Sequence, residues 1–328
     1  MPSPRRIALF GECMIELRGQ TFGAMQQGLG GDTLNTAIYL ARLCRDQDIQ
    51  VAYATALGTD PFSAHMEATW QNEGIDIALV SRIENRLPGL YTIQVDAAGE
   101  RHFSYWRDTS AVRAYFETAH TPLEDAADTL AALYLSGISL AILPDKGRER
   151  LFSTMARVRA NGGWVVFDNN FRPRLWSSPA EARAAHDQAY SLSNIVLITL
   201  DDEMALRGET VSERALAAAF ALKAPEVVVK RGTQPTLVRV AGTPPASVPV
   251  EPVSHVVDTT AAGDSFAGAY LAMRLSGSDP TTAARAANRL AAVVIQHPGA
   301  IIPSEFMPTS ATLLATETLA HTTTTAPT

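Results

Sequence analysis

The chain has 328 residues, of which 46% are apolar and 19% charged, and a formal net charge of −7. That length and apolar content allow one large domain or two modest ones with a real core, and they argue against a disordered chain. The acidic balance argues against a nucleic-acid surface, which needs a basic face, but leaves room for a small anionic substrate held by a few local arginines.

Cys13 and Cys44 both lie in apolar surroundings, so buried free thiols are expected rather than a disulfide, in keeping with a reducing cytoplasm. No C-x-x-C, H-E-x-x-H or EF-hand spacing occurs, so no dedicated metal cage is expected. The opening Met1-Pro2-Ser3-Pro4-Arg5-Arg6 lacks a signal-peptide core. No run approaches the ~20 apolar residues of a membrane span. A cytoplasmic protein without membrane or nucleic-acid partners is expected.

In chain order, Ile7 to Phe10 reads as a buried strand ended by Gly11. Gly28-Leu29-Gly30-Gly31-Asp32-Thr33 tempts a dinucleotide reading, but Thr33 stands where G-x-G-x-x-G needs glycine. That failure disfavours a nucleotide-dependent oxidoreductase. A helix then carries the apolar stripe Leu34, Ala37, Ile38, Ala41 and Cys44, with Asp32 as its natural N-cap. Val51 to Leu57 is a second strand, and a helix runs from about Pro61 to Glu73. His65 and Trp70 on it are packing or surface residues.

Residues 90–107 differ in kind. Leu90 to Val95 alternates, Asp96 to Glu100 turns, and His102 to Trp106 extends again, as in a β-hairpin. This interrupts the α/β alternation and is expected to stand apart as a flap. Leu133 to Ser136 is a buried strand with Gly137-Ile138 as its exit. A helix near Lys146 to Ala160 leads to the strand Trp164 to Asp168, then Asn169-Asn170-Phe171-Arg172-Pro173, where the proline keeps Arg172 extended. Asn194 to Thr199 is a strand. Asp201-Asp202-Glu203 after it suits the negative first turn of a helix. Glu226 to Lys230 is a strand ending in Lys230-Arg231-Gly232, and Gly242 to Val253 is an exposed loop or edge.

Asp258-Thr259-Thr260-Ala261-Ala262-Gly263-Asp264 then feeds an apolar helical pattern (Phe266, Ala269, Tyr270, Met273). Small residues before a helix leave unpaired N–H groups facing outward, a place that favours an anion. Asp264 either caps that helix or takes a proton from a hydroxyl attacking a phosphate. With an ordinary pKa near ~4 it would orient the hydroxyl and take the proton late. Thr281 to Gln296 is a second, alanine-rich helix interrupted by Asn288. From Ser304 onward the Thr-, Ala- and Pro-rich chain reads as a disordered tail over 304–328. Alternating strands and helices give an α/β class with a mostly parallel sheet covered on both faces.

The Asp258–Asp264 loop resembles the Asp-Thr-Thr-Gly-Ala-Gly-Asp signature of the ribokinase family of carbohydrate kinases, with Ala261 in place of the glycine. The 2-keto-3-deoxygluconate kinase branch resembles the chain more closely, from about Ile7 to Pro303. The resemblance implies a single ribokinase-like three-layer αβα domain over 1–303. It also implies a small β lid built from about 12–31 and 82–107. Asp264 would be the base, with the N–H groups of Ala261, Ala262 and Gly263 on the transferring phosphoryl. Gly31, Asp32, Asn35, Tyr91, Tyr105, Arg107, Ile138 and Arg172 would face the substrate. A guanidinium fork such as Arg107 suits a carboxylate better than a lysine does. Lys230, Gly232 and Asn288, with Ala262 and Gly263, would lie by the nucleotide. Glu203 fits the Glu of the family's N-x-x-E and would reach magnesium through water, although Leu200 replaces the Asn. The implied activity is phosphorylation of the acid sugar on its C6 hydroxyl with ATP and Mg2+; separately, an unpaired edge of the hairpin would invite a second copy, so a homo-oligomer is expected. Another sugar as substrate, or a catalytically silent sugar-binding protein of the same fold, are the alternatives.

Overall fold

A computed structural model describes residues 4–95 and 101–315. The turn expected at Asp96 to Glu100 lies outside the described residues. The chain opens with β1 (Arg5–Phe10), β2 (Met14–Gly19), β3 (Met25–Gly30), α1 (Asp32–Leu43), β4 (Ile49–Leu57), α2 (Pro61–Asn72), β5 (Val80–Arg82), β6 (Gly89–Val95) and β7 (Arg101–Trp106). It continues through α3 (Pro122–Ala126), β8 (Ala132–Ser136), α4 (Gly137–Ala141), α5 (Asp145–Ala160), β9 (Trp164–Asp168), α6 (Pro179–Leu192), β10 (Ile195–Thr199), α7 (Leu200–Arg207) and α8 (Ser212–Phe220). It closes with β11 (Glu226–Arg231), β12 (Gln234–Val240), β13 (Ala246–Val248), α9 (Ala262–Leu275), α10 (Pro280–Val294) and α11 (Ser310–Leu314).

Nine strands form one sheet in the order β13-β12-β11-β10-β9-β8-β1-β4-β5. Pairing is parallel from β11 to β5 and antiparallel only for β12 and β13. Central strands are buried on both faces, which is why they read as unbroken apolar runs. In β1, Ile7 and Leu9 join a core with α1, α9 and α10, while Ala8 and Phe10 join a second core with α5 and α6. The result is a three-layer αβα sandwich.

The lid is a separate sheet in the order β3-β2-β6-β7. Two hairpins distant in sequence meet through the parallel pair β2–β6, Glu16 standing opposite Tyr91. Helices α1 and α9 press closely together where they cross. A side chain at Gly268 would fall 2.8 Å from Tyr39 Cβ and 2.9 Å from Thr36 O, so glycine is required there.

Three expectations change. Gly137-Ile138 does not simply leave β8 but opens α4, because Ser136 and Ser139 form a capping box that starts a helix at once. Asp32 is not the cap of α1. Gly31 holds that position in extended backbone, and Asp32 is the first helical residue, its carboxylate free to turn elsewhere. The segment after Ser304 is not featureless: α11 buries Leu313 in the core, and Arg289 donates to the Leu313 carbonyl at 3.0 Å. Leu313 in the core, the partly buried Met307 packed against it and carbonyl acceptors for the partly buried Arg289 tie this polar stretch to the domain. Residues 316–328 lie outside the described residues.

Candidate active site

The Asp258–Asp264 loop is shaped by its first residue. Asp258 accepts from the Thr260 N–H at 2.9 Å and the Thr260 hydroxyl at 2.5 Å, and from the Gly299 N–H at 3.1 Å. Ala261 is the cap of α9 and makes no side-chain cap bond, which places Asp264 in the first turn rather than at the cap. Of the N–H groups expected to face an anion, that of Ala262 is already donated to Thr259 O at 3.2 Å. Gly263 is different. Among the described residues, apart from its own helix, Lys230 Nζ lies near its missing Cβ, at 3.6 Å. A small-residue helix start beside an ammonium has the chemistry to hold a phosphate.

Asp264 is half-buried, and Asn35 Nδ2 donates to its Oδ2 at 2.8 Å. Its carboxyl is pushed up to about 8, first by burial, then by the Asp32 carboxylate, with Asp168 adding to the rise; Asn35 and Lys230 pull the other way. The expectation of an ordinary carboxyl near ~4 is therefore revised. Three acids crowd one pocket, and the like charges make the proton on Asp264 hard to lose. A pKa nearer neutrality makes a stronger proton acceptor for an alcohol.

Asp32 faces the same pocket, its Oδ2 accepting from Asn170 Nδ2 at 2.7 Å. Asn170 adopts a φ of 21°, in the left-handed region that asparagine tolerates. Gly31 is needed because a side chain there would fall 2.2 Å from Glu12 O. Gly137, whose Cβ would lie 2.1 Å from Asn169 O, brings the start of α4 against this loop, and Ile138 stands there half-buried. The structure thus gathers Asp32, Asn35, Asn170 and Asp264 around one point.

On the phosphate side Lys230 is no solvated lysine: it pairs with buried Asp168 at 2.7 Å. Arg172 is half-exposed and reaches Asp202 at 3.2 Å rather than the Asp264 pocket. The Asp202 carboxyl is raised by burial, an effect opposed by Arg172 and reinforced by Asp168. Gly232, at φ 59°, turns the chain from β11 to β12 in the open. Asn288 is buried, and its amide is committed: Oδ1 accepts from the Thr236 hydroxyl at 2.9 Å and Nδ2 donates to Pro249 O at 2.9 Å.

Glu203 departs furthest from expectation. It is 1% exposed; Tyr190 donates to its Oε2 at 2.5 Å and Arg207 pairs with its Oε1 at 2.8 Å. Both oxygens are occupied by residues of α6 and α7, so it braces two helices instead of facing a metal. Among the described residues no group of three His, Cys, Asp or Glu could hold an ion.

In the lid, Tyr91 is buried and donates to Glu16 at 2.5 Å; burial and that carboxylate hold its phenol well above the usual range. Tyr105 stacks on it at 5.8 Å and stays half-exposed. Arg107 is buried, forms an ion pair with buried Glu12, and lies 5.8 Å from the Tyr105 ring centre. Sequence reasoning did not single out Glu12, Glu16 or Asp202 as site residues. Asp168 and Asn170 were in view within Asp168-Asn169-Asn170-Phe171-Arg172, and the asparagine pair was the overlooked signal.

Comparison with known proteins follows the same direction. Residues 4–307 match the family described as pfkB family carbohydrate kinase. The 2-dehydro-3-deoxygluconokinase of Dickeya dadantii is 46% identical over 93% of this chain and 99% of its own length. That of Escherichia coli K12 is 47% identical over 93% and 99%, and that of Haemophilus influenzae 43% identical over 91% and 96%. Among solved structures, a PfkB protein from a Polaromonas species superposes with a TM-score of 0.78 at 27% identity, over 94% of this chain and 98% of that one. A Vibrio cholerae fructokinase in a fructose, ADP and calcium ion bound form gives 0.79 at 26%, over 95% and 98%. The loop, the three-layer sheet and the full-length match agree, and the chain belongs to the pfkB family of carbohydrate kinases.

Proposed function

We propose that this chain transfers the terminal phosphoryl group of ATP to the C6 hydroxyl of 2-dehydro-3-deoxygluconate, the 2-keto-3-deoxy acid sugar. The observation that carries the reading is the pairing of a proton-hungry Asp264 with the small-residue start of α9 and the adjacent Lys230 ammonium. The sugar's identity is supported by full-length relatives named 2-dehydro-3-deoxygluconokinase.

Asn35 and Asp32 would hold the sugar so that its C6 oxygen lies beside Asp264. Asp264 accepts the hydroxyl proton as the new oxygen–phosphorus bond forms, and the old bond to ADP breaks. The Gly263 end of α9 and Lys230 offset the negative charge on the transferring group, already oriented before it arrives. ATP, when bound, supplies that group, and magnesium neutralises its charge. The residues present fit the phosphates rather than a cage for the ion, and Asp168, paired with Lys230 at 2.7 Å, is a carboxylate beside the cradle. The lid would cover the sugar and exclude water, the competing acceptor. Its outer strands β3 and β7 pair on one side only, which suits association of two copies.

The test is ADP release with ATP and magnesium, offering 2-dehydro-3-deoxygluconate, gluconate, fructose and ribose in parallel. Strong preference for the keto-deoxy acid, lost in Asp264→Asn, supports the reading. Preference for a neutral sugar refutes the acid-sugar assignment and leaves the kinase. No turnover on any of the four refutes the acid-sugar assignment and points first to another sugar, then to a catalytically silent sugar-binding protein of the same fold.

A further inference from the structure

We propose that Glu12 is a positioning residue for acid-sugar recognition: its buried carboxylate anchors the Arg107 guanidinium at the root of the lid and aims the free part of the fork at the sugar's carboxylate. This rests on the reading of the substrate as an acid.

The two partners come from opposite sides of the lid's root. Glu12 follows the last strand residue of β1, on the main sheet, and Arg107 immediately follows β7, the lid's outer strand. Both are almost fully enclosed, at 3% and 8% exposure. Only Arg107 Nη2 is taken by Glu12, through Oε2. Among the described residues Nε and Nη1 make no hydrogen bond and remain for a second anion, with Tyr105 beside the guanidinium.

The surroundings are cut to fit this carboxylate. A side chain at Gly89 would fall 2.7 Å from Glu12 Oε1 and 3.2 Å from Arg107 Cβ. One at Gly31 would strike the Glu12 carbonyl at 2.2 Å. Among the described residues the buried Glu12 Oε1 has no hydrogen-bond partner. A carboxylate kept in so dry a place with one oxygen unsatisfied is costly by itself. Its return is a fixed cation. A buried arginine stripped of its counter-ion would not stay where it is, because an uncompensated buried charge is strongly destabilising. Arg107 would then swing toward solvent, and the acid sugar would lose its grip. A neutral sugar, which does not use that grip, would not notice.

The experiment compares wild type, Glu12→Gln, Glu12→Asp, Arg107→Met and the Glu12→Gln/Arg107→Met double variant. Kinetics are measured with 2-dehydro-3-deoxygluconate and with fructose, and acid-sugar binding by calorimetry without ATP. Glu12→Gln is expected to raise KM and Kd for the acid about tenfold or more, the scale for losing one member of a desolvated pair, with kcat changed less than about threefold and fructose kinetics unmoved. Glu12→Asp keeps the charge on a shorter arm, so it protects folding while drawing the fork off target; a rise of about threefold or more in the acid's KM is expected. In the Arg107→Met background Glu12→Gln should add nothing, since there is no fork left to aim. Unchanged acid affinity in both single variants, equal losses on both sugars, or a further loss in the double variant would overturn the proposal. A wild type that prefers fructose refutes the acid reading itself, which is a separate outcome.

Discussion

Asp264→Asn should do two opposite things: abolish turnover and stabilise the fold. The carboxyl of an ordinary aspartate titrates at 3.8, and here it is pushed up to about 8 by burial and by the Asp32 carboxylate. Between those two values the folded chain holds a proton that the unfolded chain has released. With respect to this group, stability is therefore greatest below the unfolded value, falls as pH rises, and is lowest above the folded value. Four units at about 1.4 kcal/mol each give a ceiling of about 5–6 kcal/mol. Asp32 and Asp168 share the charge with Asp264, so the realised penalty is on the order of 1–3 kcal/mol. Asparagine has the same shape and carries no charge. Thermal unfolding of wild type and variant at pH 5, 6.5 and 8.5 should show the variant gaining with pH, by roughly 2–6 °C at the highest value. Turnover should fall by about 10²–10⁴. A stability difference that is flat over this range, or that shrinks as pH rises, would refute the argument that the carboxyl is held protonated by its neighbours.

Asp32→Asn removes the like charge, so the acid limb of kcat/KM should move to lower pH by about one unit or more, measured as a pH–rate profile at subsaturating sugar. Glu203→Gln should cost about 2–4 kcal/mol in chemical denaturation, because it leaves Arg207 and Tyr190 with a weakened partner, while the magnesium dependence of turnover stays as in wild type; a shifted magnesium requirement would restore a metal role. Deleting residues 304–328 removes the Leu313 anchor and the two carbonyls, of Leu313 and Ala315, that Arg289 donates to beside Glu251, and should lower thermal stability by about 2 kcal/mol or more; an unchanged melting temperature would show that the segment contributes nothing.

The fold was readable because its strands are buried on both faces. Ile7 to Phe10, Val51 to Leu57 and Glu226 to Lys230 appear as apolar runs closed by glycine or charge, and each is a strand of the main sheet. The alternating Leu90 to Val95 gave away the lid for the opposite reason, since one of its faces is less covered. The candidate site was legible where small residues stand in a row, as at Ala261 to Gly263, which the structure places at the start of α9. It was less readable where a residue's duty depends on its neighbour across the fold. Glu203 sits in the right place along the chain, but Arg207 one turn on and Tyr190 from another helix decide what its carboxylate does. The partner of Lys230 was not legible in sequence, because Asp168 stands 62 positions away. The serine pair that starts α4 is a local signal that the strand pattern before it obscured.

The contact between Asn35 and Asp264 joins residues 229 positions apart, and Thr36 donates to the Asp264 carbonyl across nearly the same interval. Bringing such distant segments together is entropically demanding and slow. The working centre is therefore absent from any chain that has not yet left the ribosome past about α9, however well its earlier strands have formed. At a typical elongation rate of about 5–20 residues per second, the first turnover of a newly made molecule waits on its last quarter, and a nonsense mutation before Asp264 removes that residue together with α9 and α10, which complete the core on one face of the sheet.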